Sequence, residues 1–223
     1  MKHITFLLIL FVGSFAQTNK PVFNADETRL LFNHKVKLDS EKDGYMRLLE
    51  IRFSPDGKHF LVLACGFECT DNVGFIFNAN GTGKRKFTGG WDWILQNNVE
   101  WSADSQFVYY YRIQSTGADP PPTAPKEGWM QVVVKTGAKS TAMSRRLKTN
   151  ATYAVFRVYQ NDPLNIRSAP GLKTKVVGKI PFDGKEIHYL GDMRQVGKEA
   201  WVKIQFGDVI GWVNQSYLYE TAR

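Results

Sequence analysis

Two stretches of the chain, 48 residues apart, repeat one pattern: an apolar strand, a tight turn and a second apolar strand. The turn reads FSPDGK at 53–58 in the first copy and WSADSQ at 101–106 in the second. Proline followed by aspartate and glycine is typical of a type I or II β-turn. A further pair of strands follows each copy, so each repeat is a unit of about four strands. This period and strand count constrain the chain to a stack of four-stranded β-units.

The FSPDGK turn in this setting resembles the blade repeat of TolB-type β-propellers of the bacterial envelope, over residues 45 to about 147. A propeller usually needs at least four blades to close its ring, and this stretch holds two. The resemblance therefore implies an open two-blade body, or one completed by other chains as a homo-oligomer. Because two outer strand edges would stay unpaired, we expect residues 22 to 40 to protect one by adding a strand. Packing of the C-terminal barrel against an edge and self-association are the alternatives.

A second β-region follows the polar linker RRLKTNAT and runs from 151 to 220. Its motifs are LNIRSAP at 164–170, VGKIP at 177–181, LG at 190–191, WVKI at 201–204, GWV at 211–213 and YL at 217–218. In order and spacing they resemble a bacterial SH3 domain. The resemblance implies a small barrel that acts as a binding module for cell-wall peptide or for a protein partner in the envelope.

Polar and aromatic side chains of this module are the candidate ligand contacts: Asn165, Arg167, Tyr189, Trp201, Trp212 and Tyr217. Arg167 alternates with Ile166 and so faces outward, where it can pair with a peptide carboxylate or remain solvated. Both tryptophans lie in apolar strands, so core positions are the alternative for them. The tyrosines can equally cover the ends of the barrel.

The first residues, MKHITFLLILFVGSFAQT, have the pattern of a signal peptide: an early lysine, a short apolar run and small residues before Ala16. The run is too short for a permanent membrane anchor, which needs about 20 residues. We therefore expect residues 1–16 to be removed near Ala16, leaving a periplasmic or secreted protein without a transmembrane anchor. The predicted organisation is all-β: blade-like units over 17–147 and an SH3-like barrel over 151–220.

Cys65 and Cys69 are the two cysteines of the chain. Export permits a disulfide between them, but four residues along a straight strand cover about 13 Å, so CGFEC must bend for the sulfurs to meet. Two buried free thiols are the alternative. No histidine lies near them in sequence, so a metal site is not expected.

The remaining features argue against catalysis and against nucleic-acid binding. The net charge of +8 is spread over both regions without a concentrated basic block. The histidines have no zinc-type spacing, and no nucleophile motif occurs. We therefore predict no enzyme activity and no cofactor. The sequence favours an exported binding or adaptor protein of the cell envelope; the alternatives are a secreted inhibitor or immunity-type protein of an envelope hydrolase, and a hydrolase whose site the sequence does not reveal.

Overall fold

The computed structural model describes residues 20–66, 69, 71–88, 92–113 and 126–221. The predicted signal peptide and most of the proline-rich stretch at 115–128 lie outside these residues. The described chain is β-strand almost throughout, with a short α-helix (α1, Ser40–Asp43) and a 3₁₀-helix at Gln215–Tyr217. The all-β prediction is confirmed.

The strands form three sheets. A three-stranded N-terminal sheet contains β1 (Val22–Phe23), β2 (Arg29–Phe32) and β3 (Lys35–Asp39). The middle sheet contains β4 (Arg47–Phe53), β5 (His59–Cys65), β6 (Asp71–Asn78), β7 (Arg85–Lys86), β8 (Trp93–Trp101), β9 (Phe107–Ile113), β10 (Gly128–Val133) and β11 (Lys139–Thr141). The C-terminal sheet contains β12 (Thr152–Val155), β13 (Leu164–Arg167), β14 (Val176–Ile180), β15 (Ile187–Val196), β16 (Glu199–Phe206), β17 (Val209–Asn214) and β18 (Leu218–Glu220).

The middle sheet is built from the two predicted four-stranded units, β4–β7 and β8–β11. Each is an antiparallel meander, and β6 joins them because it pairs with β7 at one end and with β8 at the other. The units pack face to face over an apolar layer that includes Leu61 and Ile76 from the first unit and Val108, Tyr110 and Val132 from the second. This is a blade-on-blade arrangement, as the repeat predicts.

The two repeat turns are alike in atomic detail. Ser54 Oγ donates to Asp56 Oδ1, and Ser102 Oγ donates to Asp104 Oδ1, both at 2.7 Å. In each turn the same carboxylate oxygen accepts the backbone N–H two residues further on, at 3.1 Å. The short polar side chains therefore supply the partners that the turn backbone needs.

The fourth turn position requires a left-handed backbone. Gly57 has φ of 68° and its counterpart Ser105 has φ of 60°. Glycine adopts this conformation without steric penalty, whereas serine does not. The Ser105 hydroxyl accepts the backbone N–H of Asp56 at 3.1 Å, so the two turns are also bonded to each other.

The N-terminal sheet covers the outer face of the first unit. Leu30, Phe32 and Leu38 are buried against the aromatic face formed by Phe60 and Phe75, among others. The expectation that residues 22 to 40 would add a strand to the edge of the blade sheet is wrong. The apolar residues of this segment pack on the aromatic face of the unit, and its strands pair with one another in a sheet of their own. Along β4, the edge strand, the charged residues of the segment RLLEIRF remain partly exposed.

The C-terminal sheet is a strongly curved half-barrel, with strand order β14-β13-β17-β16-β15-β12-β18. Its core contains Tyr153, Ile166, Ile180, Val202 and Val213. The same half-barrel covers the outer face of the second unit, where Phe156 and Tyr219 pack against that unit's aromatic cluster. The layers are therefore N-terminal sheet, first unit, second unit and C-terminal barrel.

A buried ion pair joins the second unit to the barrel. Arg145, 2% exposed, contacts Glu100, 4% exposed, at 2.7 Å. The same guanidinium donates to the carbonyls of Gln215 and Leu218 at 2.5 and 2.6 Å and stacks 3.7 Å from the centre of the Trp129 ring. The Gln215 side chain closes the cluster by bonding the backbone N–H and C=O of Arg145. These contacts fix the barrel against the blades.

Candidate functional site

A groove of about 370 Å³ opens on the outer face of the barrel. One wall comes from the loop before β13 and from β13 itself, and the floor comes from β16 and the end of β17. Antiparallel strands alternate their side chains between two faces. Because Val202 and Ile204 of β16 enter the core, their neighbour Trp201 points to the opposite side and forms the groove floor.

The indole of Trp201 carries the most informative polar atom of the groove. Trp201 is 2% exposed, and within the described part of the chain its Nε1–H has no hydrogen-bond partner. A buried donor left unpaired costs about 1–3 kcal/mol. An acceptor oxygen that reached this N–H would remove this cost.

Two asparagines place amide groups at the groove. Asn165 lies on β13 and Asn214 at the end of β17. Asn214 Oδ1 caps the 3₁₀-helix by accepting from the backbone N–H and the hydroxyl of Ser216 at 2.9 and 2.8 Å. Since this cap uses the oxygen, the Asn214 amide nitrogen remains available as a donor; among the described residues it bonds to none.

Gly211 allows the strands that carry these groups to approach closely. A Cβ at this position would lie 2.5 Å from Cγ2 of Ile166 and 2.7 Å from the carbonyl oxygen of Arg167. Both distances are shorter than real Cβ contacts, so any larger residue would push β13 away from β17. The glycine of the GWV motif therefore allows β13 and β17 to pair closely beside the groove.

The groove is lined by charges of both signs. Arg157 and Arg167 supply positive charge, and Asp162 and Glu199 supply negative charge. Arg167 Nη1 donates to the carbonyl of Thr174 at 2.7 Å. This bond holds the guanidinium in place and leaves its other N–H groups free to bond. The groove can therefore meet both a carboxylate and an amino group of one ligand.

Exposed apolar side chains flank the polar floor. Tyr159, Leu172 and Tyr217 line the groove and are all exposed to solvent. Exposed tyrosines give rigid contact area with a polar end and are favoured at binding surfaces. Their presence beside the amides and charges is typical of a site for a peptide rather than for a simple ion.

Four of the six predicted contact residues lie along this groove: Asn165, Arg167, Trp201 and Tyr217. Tyr189 does not, because it lies on β15, pairs with Ile204 of β16 and packs against the core. Burial, with Asp192 nearby, raises the pKa of its hydroxyl. Trp212 points outward from β17 but lies beside Arg167 and Lys203, outside the groove. Whether any of the six binds a ligand stays a prediction.

Sequence reasoning missed Arg157, Tyr159, Leu172 and Asn214. The first two precede β13 in the segment RVYQNDP, which is an irregular loop in sequence and becomes a wall only because it folds back over β16. The turn signals NDP and APG on either side of β13 were the available indication that loops flank this strand.

Outside the barrel, Cys65 and Cys69 are joined by a disulfide, with their Cα atoms 4.6 Å apart. Cys65 ends β5, so the bend at Gly66 brings the two sulfurs together. Over the described ranges, no cluster of three or more histidine, cysteine, aspartate or glutamate side chains is arranged to hold a metal. No helix in those ranges has the length and apolarity needed to cross a membrane.

Comparison with known proteins identifies the barrel. Residues 162–219 match the family model of the bacterial SH3 domain. The predicted SH3 domain is thus confirmed. A solved structure of a TolB protein from Agrobacterium tumefaciens is similar to the chain with 11% sequence identity and a TM-score of 0.32, covering 87% of this chain. The chain spans 66% of the length of that structure, and no curated protein matches it.

Proposed function

We propose that this chain is an exported, non-catalytic binding protein of the bacterial cell envelope whose SH3 domain holds a cell-wall peptide in the groove over Trp201. The observation that carries the proposal is the indole N–H of Trp201, buried at the groove floor without a partner in the described structure. A peptide can supply the hydrogen-bond acceptor that this N–H lacks, since every peptide residue carries a backbone carbonyl.

The other groups of the groove suit the same ligand. The amides of Asn165 and Asn214 can bond peptide groups, while Arg167 can pair with a carboxylate and Glu199 with an amino group. The exposed ring of Tyr217 offers a surface for the ligand's apolar atoms. Short cell-wall peptides carry all of these groups at close spacing.

The two blade-like units act as a rigid support in this proposal. Arg145 bonds Glu100 of the second unit and two barrel carbonyls at once, so the groove has a fixed direction relative to the blades. An adaptor needs such a fixed relation between its binding surface and the rest of the molecule. Export is part of the proposal and rests on the signal-peptide pattern before Ala16.

The test is co-sedimentation of the full chain with purified peptidoglycan sacculi, using the wild type, Trp201→Phe and Trp212→Phe. Trp201→Phe keeps an aromatic ring but removes the N–H donor. A hydrogen bond contributes about 0.5–1.5 kcal/mol, so we expect roughly three- to tenfold weaker binding. Trp212→Phe is the matched control, because Trp212 lies on the same face outside the groove.

The control should bind like the wild type, and circular dichroism should show the same fold for all three proteins. The proposal is wrong if the wild type stays in the supernatant, or if Trp201→Phe binds as tightly as the wild type. If the wild-type protein does not bind sacculi but inhibits an envelope hydrolase, the inhibitor function is favoured instead.

A further inference from the structure

A second cavity, of about 560 Å³, lies where the two units meet the barrel. Strand β4 contributes Arg52, β8 contributes Leu95 and Asn98, and the barrel contributes side chains from β12, β18 and the loops beside them. Ligand sites are common at interfaces between domains, and this volume is within their usual range of about 300–1,000 Å³. We call this cavity the inter-unit cleft.

One wall of the inter-unit cleft is apolar. Leu95 and Val155 line it together with the rings of Phe156 and Tyr219, which lie edge to face with centroids 6.0 Å apart. The rings are held by the packing of the barrel on the second unit, so the wall is preformed. A ligand with an apolar part can pack here without reorganising the site.

Asn98 supplies a free polar group inside the cleft. It lies in the stretch between Ile94 and Val99 where the pairing of β8 with β9 is interrupted. Asn98 is 8% exposed, and within the described structure its amide makes no hydrogen bond. The amide atoms of Asn98 keep some exposure to the cavity, so a ligand in the cleft can bond them in place of water.

The charge of the cleft is positive. Glu220 is neutralised by Lys148, whose Nζ lies 2.7 Å from its carboxylate. Arg52 is paired with Glu50 at 2.7 Å, and Arg157 is paired with Glu127 at 3.0 Å. Lys185 lines the cleft, is exposed and has no ion-pair partner in the described ranges. The unpaired charge is therefore an ammonium group, which attracts an anion.

We infer that the inter-unit cleft is a second binding site, which takes a small carboxylate ligand with an apolar body. Lys185 neutralises the carboxylate, Asn98 bonds a polar group, and the apolar body packs on Phe156 and Tyr219. A free organic acid and the C-terminal residue of a peptide share this chemistry. Arg157 lines both this cleft and the SH3 groove, whereas Lys185 and Asn98 line only the cleft and therefore distinguish the two sites.

The experiment is calorimetric titration of the full chain at about 150 mM salt, which weakens unspecific charge attraction. Benzoate represents a free organic acid and N-acetylalanine a peptide C-terminus; benzamide and N-acetylalaninamide are their neutral counterparts. We expect at least one of the acids to bind at least tenfold more tightly than its own amide. Binding of only one acid identifies the source of the carboxylate.

Lys185→Met and Asn98→Leu should each weaken binding of the acid at least fivefold. The matched control is Lys179→Met, which removes an exposed lysine from β14, away from the cleft. Amide NMR spectra establish that each variant is folded. If Asn98→Leu does not fold, Lys185→Met decides the question.

The inference is overturned by any of three results: neither acid binds, the amides bind as tightly as the acids, or Lys179→Met weakens binding as much as Lys185→Met. Retained acid binding in a folded Lys185→Met variant overturns it as well. The three variants leave the residues that line the SH3 groove unchanged.

Discussion

Replacing Arg145 by methionine should destabilise the whole protein, because it leaves Glu100 as an uncompensated buried charge. Both side chains are almost fully buried, at 1% and 4% side-chain exposure, and the guanidinium also donates to two barrel carbonyls. Breaking a buried ion pair by removing one partner typically costs about 3–5 kcal/mol. Methionine keeps much of the apolar stem of arginine. The loss of stability therefore comes from the missing charge and not from a cavity. We expect a decrease of this size in the free energy of unfolding.

The assay is urea unfolding of the full chain, followed by circular dichroism at pH 7.5. Arg146→Met is the matched control: Arg146 is the next residue and pairs with Asp104, but its side chain is half-exposed. Exposed pairs contribute up to about 1 kcal/mol, so this control should change stability little. The double variant Arg145→Met with Glu100→Gln should lose less free energy of unfolding than the two single variants lose in sum, because it no longer buries a charge.

The loss should also depend on pH, with a sign fixed by Glu100. Burial raises the pKa of this carboxyl even with Arg145 present, and removing the arginine raises it further. A carboxyl whose pKa is raised on folding does not lower the free energy of unfolding below its unfolded pKa of about 4.3. Its full destabilising effect develops as the pH rises through the folded pKa. The loss in Arg145→Met should therefore be smaller at pH 5 than at pH 7.5. A loss no larger than that of Arg146→Met, or one that does not change with pH, would refute this reasoning.

Three further predictions concern the organisation of the chain. Residues 151–220 expressed alone should unfold in one cooperative thermal transition, and a segment that gains structure only with the blades present would contradict the two-domain division. Deleting residues 17–42 should cause aggregation in light scattering, because it uncovers the aromatic face of the first unit; a monomeric, equally stable variant would mean that this cover is dispensable. Thiol labelling of the unfolded, unreduced protein should find no free cysteine, and reducing Cys65–Cys69 should cost at most about 2 kcal/mol because the closed loop is short.

The parts of the fold that sequence could predict are those governed by local chemistry. The serine–aspartate bonding in the two repeat turns involves residues two apart, so the turn sequences were sufficient to place it. The same holds for the strand and turn order of the SH3 domain. Strand alternation also placed Arg167 on the outer face of β13.

The remainder depended on tertiary contacts. Residues 22–40 have a pattern that fits an edge strand or a covering sheet equally well, and the choice depends on the aromatic face of the first unit, which exists only after folding. Trp201 lies in an apolar strand and is buried, yet it faces away from the core. It lines the groove together with the loop that contains Tyr159, and no local pattern reveals that loop's path.

The most direct test of the account is the NMR signal of the Trp201 indole N–H during titration of the full chain with soluble peptidoglycan peptides. The account predicts that this signal moves strongly, because its proton gains an acceptor where the described protein offers none. The indole signal of Trp101, which already donates to the carbonyl of Arg52 at 3.2 Å, should stay in place. Saturating peptide that leaves the Trp201 signal unchanged would contradict the account.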